Sequence, residues 1–195
     1  MKPLLISLFD YSGHWSKPYQ NTWDIIQVDI KLGIDIFTWT PIKCDAILAA
    51  PPCDHFTLSG ARWWKEKDKD GRTQQGIDLF NRTLEIIERC EPSWYAIENP
   101  PGRLQKLINI GSPKFKFHPY EYAGWANQLG GDNQQESYTK KTYLWGNFNN
   151  NLIKNSIGPL NKNYIHYLSG KNRKEIRSIT PLGFSWAFWS ANQLP

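Results

Sequence analysis

The strongest constraint on the fold is a series of four short apolar runs, each of which stops at a charged residue or a proline turn. Runs of this kind are typical of strands that are buried on both faces. Between the third and the fourth run the chain has helical periodicity over Gly76–Cys90. Strands that alternate with a helix predict an α/β fold with a mostly parallel sheet flanked by helices. The four runs are Leu4–Phe9, Trp23–Ile30, Cys44–Ala50 and Ser93–Glu98, and the apolar face of the helix is Ile77, Phe80, Leu84 and Ile87.

Other segments give weaker signals. Residues 54–72 are polar, charged and aromatic, which predicts a long mobile loop. A short helix is expected near Trp15–Tyr19 and a further strand at Thr142–Phe148, whereas asparagine-rich Asn149–Asn163 is expected to be a loop. Thr180-Pro181 is expected to open a terminal helix, because proline is favourable just inside a helix start.

Composition favours a single cytoplasmic domain. The chain has 195 residues, 40% of them hydrophobic, and no apolar run that approaches the length of a membrane span. The apolar stretch near Met1 is short and is followed by Asp10 without a small-residue cleavage site, so it is interpreted as a strand and not as a signal peptide. Three cysteines without CxxC spacing are typical of a reducing compartment. We therefore expect a cytoplasmic protein of a bacterium or a phage-infected host.

Charge and tryptophan content suggest a nucleic-acid partner. The net charge is +5 and there are ten tryptophans, several of them beside cations. Such pairs suit stacking on bases and contact with phosphates. The alternative is that the charge is ordinary and that the tryptophans fill the core. The pairs are Trp15 with Lys17, Trp63 and Trp64 between Arg62 and Lys65, and Trp145 after Lys140 and Lys141.

Two candidate reactive residues follow neighbouring strands. Cys53 comes directly after the rigid turn Pro51-Pro52, and Glu98 ends the fourth apolar run. In open α/β sheets functional residues gather at the carboxyl ends of strands. Taken alone, Cys53 could be an inert core thiol and Glu98 a salt-bridged structural acid.

Together these motifs resemble the DNA cytosine-5 methyltransferase family, in the compact form found in phages and prophages. The resemblance covers most of the chain, in the family's order. Its motifs are the loop Phe9–Gly13, Asp29, Gly33–Ile36, Pro51-Pro52-Cys53 with Phe56-Thr57, Glu98-Asn99, Thr139-Lys140-Lys141-Thr142, and Thr180-Pro181 with Phe184 and Asn192.

The resemblance implies a Rossmann-like class I S-adenosylmethionine-dependent methyltransferase fold that methylates C5 of cytosine in DNA. The catalytic residues it implies are Cys53, Glu98 and Lys141. The implied cofactor-binding residues are Phe9, Asp10, Tyr11, Ser12, Gly13, Asp29, Asp35, Pro51 and Asn192. The implied substrate-binding residues are Pro52, Arg62, Trp63, Trp64, Asn99 and Lys140.

The chemistry of the reaction explains these residue types. C5 of cytosine is a poor nucleophile until a thiolate such as that of Cys53 adds to C6. The addition needs positive character at N3, which an acid at Glu98 can supply while it also recognises the exocyclic amine. A base must then remove the C5 proton, and the sequence does not identify it. The target base must leave the duplex stack or be unpaired already, so DNA is expected as single strand or with a flipped-out base.

Three departures from the family pattern leave alternatives open. Ser7 stands where the family has an acid, and Tyr11 and His14 stand where it has glycines, so the backbone approaches a cofactor less closely. Lysines replace arginines in the basic motif. Only Asn149–Ile179 separates the last two motifs, too little for a target-recognition domain, so residues 1–195 are expected to form one catalytic domain.

Two other functions fit the same residues. One is the same chemistry on a different pyrimidine substrate, RNA or a nucleotide, or with a modified sulfonium donor. The other is a catalytically weak nucleic-acid-binding protein, which the presence of both Cys53 and Glu98 disfavours. A zinc site is disfavoured because the spacing is wrong for known finger patterns. It would use Cys44, Cys53, His55 and Cys90.

Overall fold

A computed structural model describes residues 1–162, 164, 168–170 and 173–193. Over these residues the chain forms a six-stranded sheet in the order β2-β1-β3-β4-β6-β5. Strands β1 to β4 run parallel, β6 is antiparallel to β4, and β5 is antiparallel to β6. The strands are β1 (Leu4–Leu8), β2 (Asp24–Val28), β3 (Ala46–Ala49), β4 (Trp94–Asn99), β5 (Phe115–Phe117) and β6 (Thr142–Gly146).

Helices cover both faces of the sheet. The α-helices described are α1 (Trp64–Lys69), α2 (Arg72–Cys90), α3 (Leu104–Leu107), α4 (Arg173–Ser178) and α5 (Leu182–Ala191). Short 3-10 helices occupy Lys17–Tyr19, Ile30–Leu32, Leu58–Trp63, Pro119–Glu121 and Ala123–Leu129. No helix of the described residues combines the length and the apolarity that a membrane crossing needs.

The continuous apolar runs arise because alternate strand residues enter two separate cores. Leu5 and Leu48 face a cluster that α5 covers with Phe184 and Phe188. Ile6 and Ile47 face a second cluster on the side of α2. Side chains alternate along a strand, so strands covered on both faces are apolar throughout. The expected α/β fold with a mostly parallel sheet is confirmed.

The register aligns the carboxyl ends of the central strands. Leu8 of β1 pairs with Ala49 of β3, and Ala49 pairs with Ile97 of β4. The residues that follow these strands therefore meet at one edge of the sheet. Cys53 and Glu98 come from two of these strand ends.

The prediction of a long mobile loop at residues 54–72 is wrong. This segment contains the 3-10 helix Leu58–Trp63, all of α1 and the beginning of α2. Arg103 fixes it with two bonds to the Asp68 carboxylate, 2.7 and 2.8 Å long, and a third to Thr73 Oγ1. These contacts join residues at least 30 positions apart, so local composition does not reveal them.

Two tryptophans assigned to nucleic acid belong to the core. Trp15 is 1% exposed and packs edge-on against Phe188. Trp145 is 3% exposed and donates from Nε1 to the Gly111 carbonyl. Because neither ring reaches the surface, the packing alternative holds for both.

Candidate active site

The side chain of Asn99 joins the two strand ends that carry the reactive residues. It is fully buried, and its amide donates to the Pro51 carbonyl at 2.9 Å. Pro51 is buried and Pro52 exposed. The substrate-binding assignment of Asn99 is corrected, since its amide fixes the turn before Cys53 and has no exposed surface to offer a base.

A second connection holds the loop after Cys53 against the segment after Glu98. Arg103 N donates to the Phe56 carbonyl at 2.9 Å, and Leu58 N donates to the Pro101 carbonyl at 3.2 Å. A Cβ on Gly102 would lie 1.9 Å from the Phe56 carbonyl oxygen. Glycine is therefore required at this position, a constraint that was not expected from the sequence although Gly102 lies only three residues after the Glu98-Asn99 motif.

Burial controls the protonation of both reactive residues. It raises the pKa of the Cys53 thiol to about 12, the Glu98 charge adds to the rise, and Lys140 opposes it. Burial likewise raises the pKa of the Glu98 carboxyl, again against Lys140. With the Glu98 side chain 12% exposed, burial favours the protonated form of both the thiol and the carboxyl.

In the basic motif, the lysine that lies in the site is one residue earlier than expected. Lys140 Nζ lies 3.8 Å from Glu98 Oε1 and donates to the Arg177 carbonyl at 2.9 Å. Lys141 is exposed, with its ammonium 5.8 Å from the centre of the Tyr143 ring. The structure therefore places Lys140 in the site, where Lys141 was expected, and turns Lys141 towards solvent.

The two adjacent tryptophans after the nucleophile have different surroundings. Trp64 lies under the Arg103 guanidinium, 4.7 Å from its ring centre, and its indole nitrogen is buried. Trp63 is 47% exposed and has the Arg62 guanidinium at 5.2 Å. Trp63 is thus the more exposed ring for stacking, whereas the partly buried ring of Trp64 is engaged by Arg103.

The cofactor loop is built on Asp10, which is 6% exposed. Its carboxylate accepts from Ser7 Oγ at 2.9 Å and from Ser16 N and Oγ at 3.1 and 2.8 Å. Burial raises the pKa of this carboxyl, and the bonds from Ser16 and Ser7 oppose the rise. These three bonds all reach Oδ2, so the Asp10 side chain shapes the loop through that oxygen. Gln27, missed by the sequence analysis, supports the same loop by donating to the Asp10 carbonyl.

The rest of the expected cofactor set lies nearer the surface. Phe9 and Gly13 have positive φ angles of 60° and 67°, and Tyr11 and Ser12 are exposed. Asp29 and Asp35 are partly buried, and each accepts a local backbone N–H, from Lys31 at 2.8 Å and from Phe37 at 2.9 Å.

Asn192 does not face this loop. It is 3% exposed, and its amide group bonds the backbone of Asn149 and Phe188 at the end of α5. Thr180, just before the other end of α5, lies near the cofactor loop, since its backbone bonds His14 directly after that loop. The cofactor-binding assignment of Asn192 is corrected because its polar atoms hold the helix end in place.

Helix α4 lies over the site, which the sequence analysis did not foresee. Lys174 Nζ is 3.3 Å from the Asp54 carboxylate, and Arg177 donates to Ser59 Oγ at 3.4 Å. At its other side Glu175 bonds Lys31, beyond the end of β2, at 3.2 Å.

The cysteines do not form a metal centre. Cys44 N donates to the Cys90 carbonyl before β3 begins, whereas Cys53 follows the opposite end of that strand. In the part of the chain that the structure describes, no three His, Cys, Asp or Glu side chains are grouped to hold a metal ion.

The part of the chain that carries the reactive residues matches a known protein family. The family model of the C-5 cytosine-specific DNA methylases matches residues 8–109, which include Cys53, Glu98 and Asn99. The chain belongs to this family. Its fold is the Rossmann-like class I fold of S-adenosylmethionine-dependent methyltransferases, as expected from the motifs.

The individual relatives found have low sequence identity to this chain. The probable DNA (cytosine-5)-methyltransferase of Frog virus 3 (isolate Goorha) is 25% identical over 155 residues, which cover 69% of this chain and 67% of the viral protein. Similar solved structures include a candidate DNA modification methyltransferase encoded within an E. coli prophage and the Entamoeba histolytica methyltransferase EhMeth. Both are 14% identical, with TM-scores of 0.47 and 0.45 over 74% and 88% of this chain. The chain spans 46% and 61% of their lengths.

Proposed function

We propose that this methylase transfers a methyl group from S-adenosylmethionine to C5 of cytosine in DNA, with Cys53 as the nucleophile. The observation that carries the proposal is the convergence of Cys53 and Glu98 at adjacent strand ends, bridged by the Asn99–Pro51 hydrogen bond. Family membership supports the reaction, and the positions of these two side chains support their roles.

Glu98, Cys53 and Lys140 have different roles in the proposed reaction. Glu98, with its raised pKa, donates a proton to N3 of the base and accepts from the exocyclic amine. While Glu98 keeps its proton it does not repel a charge on Cys53, so the protonated carboxyl favours the thiolate that adds to C6. The Glu98 proton passes to N3 as the new bond to C6 forms and the thiolate charge is consumed. Lys140 supplies positive charge beside both groups.

The residues after β2 offer groups that suit the nucleoside part of S-adenosylmethionine. The Asp29 carboxylate bonds one backbone N–H through a single oxygen, and its other oxygen remains able to accept ribose hydroxyls. Exposed Ile30 lies between Asp29 and Asp35 and offers an apolar surface to a purine. When bound, S-adenosylmethionine supplies the electrophilic methyl group.

A different pyrimidine substrate is the second candidate. It is favoured because the span 149–179 contributes one short described helix, α4, that lies on the site, and no additional described strand. A single-stranded RNA or a nucleotide would present the same C5 and C6 atoms to Cys53 and Glu98.

Parallel methyl-transfer assays test the proposal. The protein is incubated with tritiated S-adenosylmethionine and single-stranded DNA, duplex DNA, RNA or dCMP. Label at cytosine C5 of DNA supports the proposal, and label confined to RNA or dCMP replaces it with the second candidate. No label in any substrate, from folded protein, would contradict both.

A further inference from the structure

Helix α4 covers the site through three contacts with two segments of the chain. Its anchors are the Lys174–Asp54 ion pair, the Arg177–Ser59 hydrogen bond and the Glu175–Lys31 ion pair, 3.2 to 3.4 Å long. Asp54 and Ser59 belong to the loop after the nucleophile, and Lys31 lies beyond the ribose-side acid. The helix therefore spans from the substrate side of the site to the cofactor side.

Helix α4 restricts access to the reactive residues while it stays in this position. Glu98 is nearly inaccessible, and Lys140 beside it donates to the Arg177 carbonyl in the last turn of α4. The anchors that hold the helix down are largely exposed to solvent, with the Lys174 side chain 76% exposed. Exposed ion pairs contribute little to stability, so α4 can separate from the site at small cost.

The charges on α4 match a phosphate backbone. The helix carries three cations, Arg173, Lys174 and Arg177, against one acid, Glu175. Arg62 and exposed Trp63 lie in the segment that Arg177 contacts, which adds a further cation and a stacking surface. A nucleic-acid strand that enters beside the nucleophile loop would meet this surface before it met Cys53.

We infer that α4 is the strand-binding element of this protein: it leaves Asp54, Ser59 and Lys31, and Arg173, Lys174 and Arg177 then bind the phosphates that flank the extruded cytosine. The inference rests on the proposed function and names the residues that hold its DNA. Each cation exchanges an exposed carboxylate or hydroxyl for a phosphate, and phosphate forms strong charge-assisted hydrogen bonds. Withdrawal of α4 also frees Lys140 from the Arg177 carbonyl, so that it can turn towards Glu98.

Salt-dependent binding tests the inference with a charge-matched control. The test variant is Arg173→Gln with Lys174→Gln, and the control is Arg89→Gln with Lys43→Gln, two exposed cations at the opposite edge of the sheet. Binding of fluorescent single-stranded DNA is measured at several salt concentrations. The slope of log K against log salt should fall by roughly 1.4 in the test variant, since each phosphate contact on a single strand contributes about 0.7. The control should keep the wild-type slope.

A third variant distinguishes a phosphate-binding role of α4 from a purely structural one. Glu175→Gln removes both an anchor to Lys31 and a charge that repels phosphate, so it should tighten DNA binding a few-fold. Weaker binding in Glu175→Gln, or a wild-type slope in the test variant, would overturn the inference. Thermal unfolding confirms that each variant is folded.

Failure of this inference and failure of the proposed function give different results. If the wild type methylates DNA and the test variant keeps the wild-type slope, the inference is wrong and the function stands. If the slope falls as expected but no methyl group is transferred, the function is wrong and the inference stands as a DNA-binding surface. If the wild type does not bind DNA, both are wrong.

Discussion

The nucleophile side and the cofactor side of the site are built in different ways. On the nucleophile side, buried Asn99 bonds the turn before Cys53, and Arg103 bonds the loop after it. On the cofactor side, Asp29 and Asp35 are partly exposed and each bonds only the backbone two residues further on. The difference teaches that the groups proposed to perform the chemistry are held by contacts between distant residues before substrate arrives, whereas those assigned to the cofactor are positioned by local turns.

The largest effect expected on the nucleophile side concerns the reactivity of Cys53. Burial and Glu98 raise the pKa of its thiol from 9.0 to about 12, so near neutral pH its thiolate fraction is about a thousandfold below that of an ordinary cysteine. Because the pKa is raised, alkylation of Cys53 by iodoacetamide should increase steadily from pH 7 to pH 10. Peptide mass spectrometry measures the rate.

A matched pair of variants identifies the cause of that shift. Glu98→Gln removes the charge that opposes the thiolate and should accelerate alkylation of Cys53, whereas Glu88→Gln, exposed on α2, should not. A rate that levels off below pH 9 would contradict the buried, acid-flanked thiol.

The next effect concerns turnover. Glu98→Gln should lower the rate of methyl transfer by about 10²-fold or more, the scale for loss of a positioned acid. Initial rates at saturating DNA and cofactor measure it, with Glu88→Gln again as the control. Near-wild-type turnover would mean that Glu98 is a structural acid.

A smaller effect tests whether the nucleophile side is fixed before substrate binds. Asn99→Ala leaves the buried Pro51 carbonyl without its donor and should lower the free energy of unfolding by about 1–3 kcal/mol. Asp35→Asn, on the cofactor side, should change it little. Urea denaturation compares the two variants, and equal losses would remove the contrast between the two sides.

The smallest effect concerns the cofactor side itself. Asp29→Asn should weaken binding of S-adenosylmethionine by about tenfold, the scale of one charge-assisted hydrogen bond. Asp24→Asn, exposed at the start of the same strand, is the control. Calorimetry measures both affinities, and unchanged binding in Asp29→Asn would show that the cofactor pocket lies elsewhere.

The sequence predicts the fold well because strands buried on both faces have an unmistakable apolar pattern. The same pattern predicts where Cys53 and Glu98 lie, since parallel strands end at one edge of the sheet. It cannot show contacts between distant residues, such as the Arg103–Asp68 pair that holds α1 against the segment after β4.

The sequence also does not predict in which direction an individual side chain points. Lys140 and Lys141 are the same residue type at adjacent positions, so the sequence does not distinguish them. The backbone leading into β6 decides which of the two side chains enters the site. Asp10 and Asn192 match family positions, but their polar atoms are already bonded within the protein, to Ser7 and Ser16 and to the end of α5.

The most direct test of the central claim is covalent trapping on DNA that contains 5-fluorocytosine. Fluorine at C5 blocks the elimination that releases the enzyme, so the wild type with S-adenosylmethionine should form a denaturation-resistant complex joined at Cys53. Cys53→Ser should form none, and Cys44→Ser, which changes a cysteine beyond the other end of β3, should form as much as the wild type. An adduct that persists in folded Cys53→Ser protein, or mass-spectrometric attachment at another residue, would contradict the assignment of Cys53 as the nucleophile.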